Sequence, residues 1–110
     1  MRHLVLVASL VLAACAEQSP VVPAIVETPP VNQEDDAADD PAIWVASDDV
    51  ARSVVIATQK QGGLYVYDLG GATIQDLPGG EPNNVDLRDG FGWPERASPI
   101  VGASDRTDNS

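Results

Sequence analysis

The sequence is short of the side chains that most hydrolytic enzymes use for nucleophilic catalysis. It contains one cysteine, Cys15, and one histidine, His3. A single cysteine excludes an internal disulfide and a cysteine-based zinc site. Because His3 lies in an amino-terminal targeting segment, the mature chain has no serine–histidine or cysteine–histidine pair. We therefore expect any chemistry to depend on carboxylates, backbone oxygens, a few cations or a metal.

Positive charge is also scarce. Six Lys and Arg residues stand against 17 Asp and Glu residues, which gives a formal net charge of −11 at pH 7. A surface with this charge repels phosphate backbones and anionic lipid headgroups. The composition therefore predicts no nucleic-acid partner and no direct binding to a membrane surface.

The longest apolar run lies at the amino terminus. Residues 1–14 join a short basic region to an apolar stretch that is too short to span a bilayer, where about 20 residues are needed, but is typical of a signal peptide. Residues 12–15, Leu-Ala-Ala-Cys, resemble the bacterial lipoprotein box. That resemblance implies lipid on Cys15 as the only membrane contact, and Ala16 at the next position, rather than Asp, favours the outer membrane over the inner membrane. Ordinary signal cleavage, with Cys15 incidental and the protein periplasmic or secreted, is the alternative, and the intact mass of the mature protein would decide between them.

Proline dominates the next segment. Residues 15–34 contain Pro20, Pro23, Pro29 and Pro30 and no aromatic side chain. Because proline fixes φ and lacks an amide donor, we expect an extended tether ahead of the folded part.

Short apolar segments rich in Val, Ile and Tyr follow the tether and predict β-strands. These segments are residues 42–45, 53–58, 64–69, 72–77, 85–87 and 100–103. The Gly-Gly pair at 70–71 suits a two-residue hairpin turn with positive φ. No window shows the period of a long helix, so the predicted fold class is all-β and antiparallel.

The length limits how much of such a fold is present. A four-stranded propeller blade takes about 40–50 residues, so residues 35–110 would hold one blade and the start of a second. Residues 104–110 are rich in turn formers that would normally lead into a returning strand. We expect an amino-terminal piece of a longer protein, with a naturally short protein as the alternative.

The most acidic segment lies just before the first predicted strand. Residues 35–40 include four Asp residues, which repel one another unless they are solvated or neutralised. Ca²⁺ suits them because it accepts six to eight oxygen ligands with loose geometry. The segment is not an EF-hand loop, since its sixth residue is Asp40 rather than Gly. A solvated acidic tail is the alternative.

Two further polar features lie downstream. Residues 83–88 alternate, so that Asp86 and Arg88 share one face of the predicted strand. Lys60, the chain's lysine, and Arg106 lie in predicted loops. An ordinary polar strand face and solvated loop charges are the alternatives.

Four separated segments together resemble the beginning of a β-propeller phytase. They are Asp-Asp-Ala-Ala-Asp-Asp-Pro-Ala-Ile-Trp at 35–44, Lys60 with Gly-Gly-Leu-Tyr-Val-Tyr-Asp-Leu at 62–69, Asn-Asn-Val-Asp-Leu-Arg at 83–88 and Ala-Ser-Asp-Arg at 103–106. Their order and spacing are compatible with that family over residues 35–110. The resemblance implies an incomplete six-bladed propeller and a calcium-dependent hydrolase that removes phosphate from phytate (myo-inositol hexakisphosphate).

The resemblance also implies calcium ligands. Asp39 matches a carboxylate of the active-site calcium cluster. Asp40, with the carbonyl oxygens of Pro41 and Val85, matches part of a structural calcium site near the first blade. The cluster's other acidic ligands come from later blades of the family.

Two cations match residues that hold substrate phosphates in the family. They are Lys60 and Arg106, whereas Gln61 stands where the family often has a second lysine, which implies one weaker phosphate contact. An acidic chain should repel phytate, and bound Ca²⁺ would invert the local sign of the charge.

The leading hypothesis is therefore a phytate phosphohydrolase, with this amino-terminal piece inactive by itself. The alternative is a non-catalytic, calcium-binding envelope lipoprotein that binds a partner through an exposed sheet edge. Further blades encoded after residue 110 would favour the enzyme, and a stop codon there would favour the binding module.

Overall fold

The computed structural model describes residues 19–93 and 96–108, so the predicted signal peptide and Cys15 lie outside the described residues. The strands are β1 (Ala38–Trp44), β2 (Val54–Gln59), β3 (Gly63–Asp68), β4 (Thr73–Pro78), β5 (Pro82–Trp93) and β6 (Arg96–Asp105). A 3₁₀ turn at Val50–Arg52 joins β1 to β2. In this described part of the chain, no helix is long and apolar enough to cross a membrane. The predicted all-β, antiparallel class is confirmed.

Strands β1 to β4 form one antiparallel sheet in chain order. Ile56 on β2 lies opposite Ala42 on β1 and Val66 on β3. Because side chains alternate along a strand, Ile56 and Val66 share one face of the sheet, and Tyr65 and Tyr67 share the other.

The hairpin of β5 and β6 packs on the Ile56 face. Val85 of β5 completes a buried cluster with Ile56 and Val66, and Trp44 and Leu87 pack around this cluster. Burying an aliphatic side chain of this size stabilises the fold by about 1.5–3 kcal/mol, so these residues fix β5 against the sheet. A four-stranded meander with a second hairpin on its face is consistent with propeller blades.

The opposite face lies beside the proline-rich segment. The rings of Tyr65 and Tyr67 are stacked, with centroids 6.0 Å apart. Residues 27–31 and these tyrosines border a cavity of about 570 Å³. Gly71 has φ 85°, and a Cβ at this position would lie 2.5 Å from the carbonyl oxygen of Glu27. Glycine therefore permits the segment to run close to the sheet.

The first strand begins earlier than the sequence predicted. It includes Asp39 and Asp40 and ends at Trp44, one residue before the end of the predicted 42–45 segment, with a register shift between Ala38 and Pro41. Proline is tolerated here because β1 is an edge strand, where an amide donor need not complete a ladder. The acidic segment is thus partly strand and not a tail.

The prediction of a two-residue turn between β3 and β4 is wrong. The Asp68 amide donates to the Ala72 carbonyl, and the Gly71 amide donates to the Asp68 carbonyl, both at 3.0 Å. These bonds leave residues 69–71 in the turn, and within the Gly-Gly pair positive φ is recorded for Gly71 alone. The longer turn accompanies a register shift between Val66 and Tyr67.

Candidate functional site

The structure brings Asp39, Lys60 and Arg106 together at one end of the sheet. Asp39 lies at the start of β1, Lys60 directly follows β2 and Arg106 directly follows β6. Lys60 Nζ is 3.1 Å from Asp39 Oδ1. Arg106 Nη2 donates to the Lys60 carbonyl oxygen at 3.2 Å. Residues far apart in the sequence thus form one polar cluster.

A tight turn holds Lys60 in place. Its amide donates to the Ala37 carbonyl oxygen at 2.8 Å, which ties the turn to the beginning of β1. The neighbouring Gln59 is 1% exposed, and its Oε1 accepts from the Gln61 amide at 2.6 Å. The buried glutamine side chain therefore fixes the loop by binding the Gln61 amide. The lysine side chain contacts Asp36 and Asp39 instead.

Lys60 binds a second carboxylate, that of Asp36. Its Nζ is 2.8 Å from Asp36 Oδ2, and the lysine side chain is 17% exposed whereas that of Asp36 is 83% exposed. Hydrogen bonds to Asp36 and then Asp39 raise the pKa of Lys60 above its ordinary value. The hydrogen bond from Lys60, and then its charge, lowers the pKa of Asp36. Both groups are therefore charged at neutral pH.

Arg106 is held by backbone carbonyl oxygens. Its amide and its Nε donate to the Glu81 carbonyl oxygen at 3.1 and 3.4 Å. Together with the bond to the Lys60 carbonyl, these contacts make Arg106 a link between the β5–β6 hairpin and the Lys60 turn. Its charge also contributes to the lowered pKa of Asp36.

Asp40 lies beside this cluster, where the two sheets meet. Its Oδ2 accepts from the Val85 amide at 2.8 Å, and its own amide donates to Thr58 Oγ1 at 2.9 Å. The Thr58 hydroxyl donates to the Asn83 carbonyl oxygen at 2.8 Å. The register shift in β1 thus turns Asp40 away from the regular ladder and toward β5.

The buried Thr58 hydroxyl connects three strands, so its removal should be costly. We expect Thr58→Val to lower the free energy of unfolding by about 1–3 kcal/mol, because the partly buried Asp40 amide and Asn83 carbonyl lose their partner. The matched control is Thr73→Val on exposed β4, with an expected effect within about 0.5 kcal/mol. Urea unfolding followed by tryptophan fluorescence measures both, and equal midpoints would contradict this role for Thr58.

The oxygen donors suit a hard cation but do not form a complete site. Asp36 and Asp39 carboxylates converge on the same ammonium group, and Ca²⁺ prefers such oxygens. Within residues 19–93 and 96–108, no group of three or more His, Cys, Asp or Glu side chains could hold a metal ion. Asp40 and Val85 are adjacent as the resemblance implies, although the observed contact uses the Val85 amide. The described residues therefore bring oxygen donors together but do not enclose a metal centre among themselves.

The alternating segment at 83–88 does not join the cluster through its charged pair. Arg88 Nη2 lies 3.0 Å from Asp86 Oδ2, and both side chains are more than two-thirds exposed at 81% and 72%. An exposed pair of this kind contributes little to stability. It is an ordinary polar strand face.

Three residues of this region were not predicted as site residues. Asp36 was part of the acidic run, but only the fold shows that it binds Lys60. Thr58 gives no signal in the sequence, because an inward-facing threonine in a strand is usually a packing residue. Asp105 could have been found from the Asp-Arg-Thr order, since an Asp side chain often binds the amide two residues later.

The chain is similar to known phytases. The model of the phytase family matches residues 3–110. The 3-phytase of Bacillus subtilis (strain 168) is 46% identical over 87 residues, which cover 79% of this chain and 23% of that protein. The chain thus spans about a quarter of the length of this curated relative.

Proposed function

The chain belongs to the phytase family, and from this premise we propose that it is the amino-terminal part of a calcium-dependent phosphomonoester hydrolase acting on phytate. The 3-phytase match supports the substrate class, and the share of that relative that is covered supports a longer complete protein. The complete product would supply the blades that follow β6.

One observation carries the proposal. In a chain of net charge −11, the Arg106 guanidinium donates to the backbone carbonyl oxygen of Lys60, whose ammonium group contacts the carboxylates of Asp36 and Asp39. Two cationic residues that meet at one loop, beside potential calcium ligands, suit a phosphate group. The phosphate oxygens can accept hydrogen bonds from both side chains.

Each residue has a distinct proposed task. Lys60 supplies a compact charge to one phosphate oxygen, and the planar guanidinium of Arg106 can donate two parallel hydrogen bonds. Both stabilise the negative charge on the transferred phosphoryl group. Asp39 would hold calcium, and Asp40 with Pro41 and Val85 would hold a second, structural calcium. When bound, calcium supplies positive charge and acidifies a coordinated water.

The test is phosphate release from phytate by the complete gene product and by the 110-residue chain. We expect release by the complete product only. The short chain leaves edge strands β1 and β4 and apolar side chains such as Ile43, Ile74 and Leu77 exposed, so we expect it to associate. Light scattering measures the association. Absence of release by the complete product with Ca²⁺ present would refute the proposed function, and robust release by the short chain would refute its expected inactivity.

A further inference from the structure

The carboxylate of Asp105, at the end of β6, is bound by three donors. Its Oδ1 accepts from the Glu81 amide at 2.9 Å, from the Thr107 amide at 2.9 Å and from the Thr107 hydroxyl at 2.7 Å. The hydrogen bond from the Glu81 amide, followed by those from Thr107, lowers the pKa of Asp105 to about 2. The charged side chain therefore links the end of β6 to the beginning of β5.

Glu81 connects this carboxylate to Arg106. The Glu81 amide is bound by Asp105, and the Glu81 carbonyl oxygen accepts from both the amide and Nε of Arg106. The Glu81 backbone therefore fixes the position of Arg106 Nε, the first nitrogen of the guanidinium group. Because Arg106 is exposed, its long side chain would otherwise lose considerable rotamer freedom on binding a ligand.

The approach of Asp105 to β5 also depends on Gly80. This residue has φ 69°, and a Cβ built on it would clash with Asp105 Oδ2. Glycine both adopts the left-handed conformation and leaves room for the carboxylate. The backbone conformation of Gly80 and its missing side chain therefore both permit the observed position of the Asp105 carboxylate.

We propose that Asp105 is a positioning residue, which holds the guanidinium of Arg106 next to Lys60 so that both cations can bind the same phosphate group. This inference rests on the proposed function. The physical reason is preorganisation: a donor that is already in place spends less of its binding free energy on being ordered.

The sign of the effect separates positioning from simple electrostatics. Removing a negative charge near a phosphate site should by itself strengthen anion binding. Positioning predicts the reverse for Asp105→Ala, because that variant loses the acceptor for Glu81. Asp105→Asn loses the charge but retains an oxygen acceptor, so we expect phosphate binding within about threefold of the unaltered protein.

The experiment is a double-mutant cycle in the complete gene product, with Asp105→Ala, Arg106→Ala and the combined variant. Calorimetry measures the affinity for inorganic phosphate, and steady-state kinetics measures KM and kcat for phytate. We expect Asp105→Ala to weaken phosphate binding and raise KM about tenfold with kcat changed less than about threefold. In the Arg106→Ala background, Asp105→Ala should have no further effect. Asp76→Ala, on exposed β4, is the control for the loss of a carboxylate.

Hydrogen exchange at the Arg106 amide and Nε provides a readout that does not depend on activity. We expect both to exchange faster in Asp105→Ala and at their normal rate in Asp105→Asn.

Unchanged exchange in Asp105→Ala, or additive effects in the cycle, would overturn the inference even if phytate is hydrolysed. If Arg106→Ala leaves phosphate binding intact, the assignment of Arg106 in the proposed function fails instead. Should Asp105→Ala fold poorly, Thr107→Ala removes one hydroxyl donor to the same oxygen and should shift KM in the same direction.

Discussion

Removal of divalent cations is expected to abolish phosphate release from phytate by the complete gene product, and added Ca²⁺ should restore it. The candidate site provides acidic oxygens and the cations Lys60 and Arg106, and residues 19–93 and 96–108 contain no histidine or cysteine nucleophile. The charge of the chain would repel phytate in the absence of metal. The measurement is phosphate release after treatment with a chelator, with residual metal determined by elemental analysis. Mg²⁺ should restore activity less well, because it requires near-octahedral geometry and retains its water ligands.

A pair of variants tests whether Asp39 contributes to this requirement. We expect Asp39→Asn to increase the Ca²⁺ concentration for half-maximal activity about tenfold, because one anionic ligand becomes neutral. Asp76→Asn makes the same chemical change on exposed β4 and should leave that concentration unchanged. Full activity in a preparation free of metal would contradict the calcium requirement, and equal behaviour of the two variants would remove Asp39 from the metal site.

Replacement of the only lysine should have the second large effect. We expect Lys60→Ala to lower kcat/KM for phytate about 100-fold, as is typical when one group that stabilises a developing oxyanion is removed. Lys60→Arg should retain part of the activity, because it keeps the charge but changes its position. Steady-state kinetics of the complete gene product, with phytate as the substrate, measures both variants.

The control for charge is Arg52→Ala. Arg52 forms an exposed ion pair with Asp48, with Nη1 2.7 Å from Oδ2, at the 3₁₀ turn between β1 and β2. This variant also removes one positive charge, and we expect no change in kcat/KM. Because Lys60 also pairs with Asp39, whose side chain is 28% exposed, urea unfolding of Lys60→Ala measures any loss of stability separately from the kinetic effect. A kcat/KM within twofold of the unaltered protein would exclude Lys60 from phosphate binding.

The strands were predictable because their signals are local. Short segments rich in Val, Ile and Tyr predicted six strands, three of whose connections contain a glycine pair, and each predicted core lies within or overlaps an observed strand. The boundaries were less accurate, since β1 and β5 extend through polar residues that are held by partners elsewhere in the fold. The Thr58 hydroxyl is an example, because it accepts a hydrogen bond from the Asp40 amide at the bulge. No local sequence pattern predicts this contact.

The candidate site was predictable only in part. The family resemblance named Asp39, Lys60 and Arg106, whereas spacing alone could not bring together residues separated by 46 positions, such as Lys60 and Arg106. Their meeting depends on the docking of the β5–β6 hairpin against the first sheet through Val85. Asp36 was missed because it meets Lys60 only once β1 pairs with β2, and Asp105 was missed because it meets the Glu81 amide only once β5 pairs with β6.

The two cations belong to different sheets, since Lys60 follows β2 and Arg106 follows β6. An anion bound by both would consequently act as a cross-link between the sheets. Thermodynamic reciprocity then requires that a change that weakens the docking of the sheets also lowers the affinity for that anion. The amount by which anion binding stabilises the docking of the two sheets would then equal the amount by which docking strengthens anion binding.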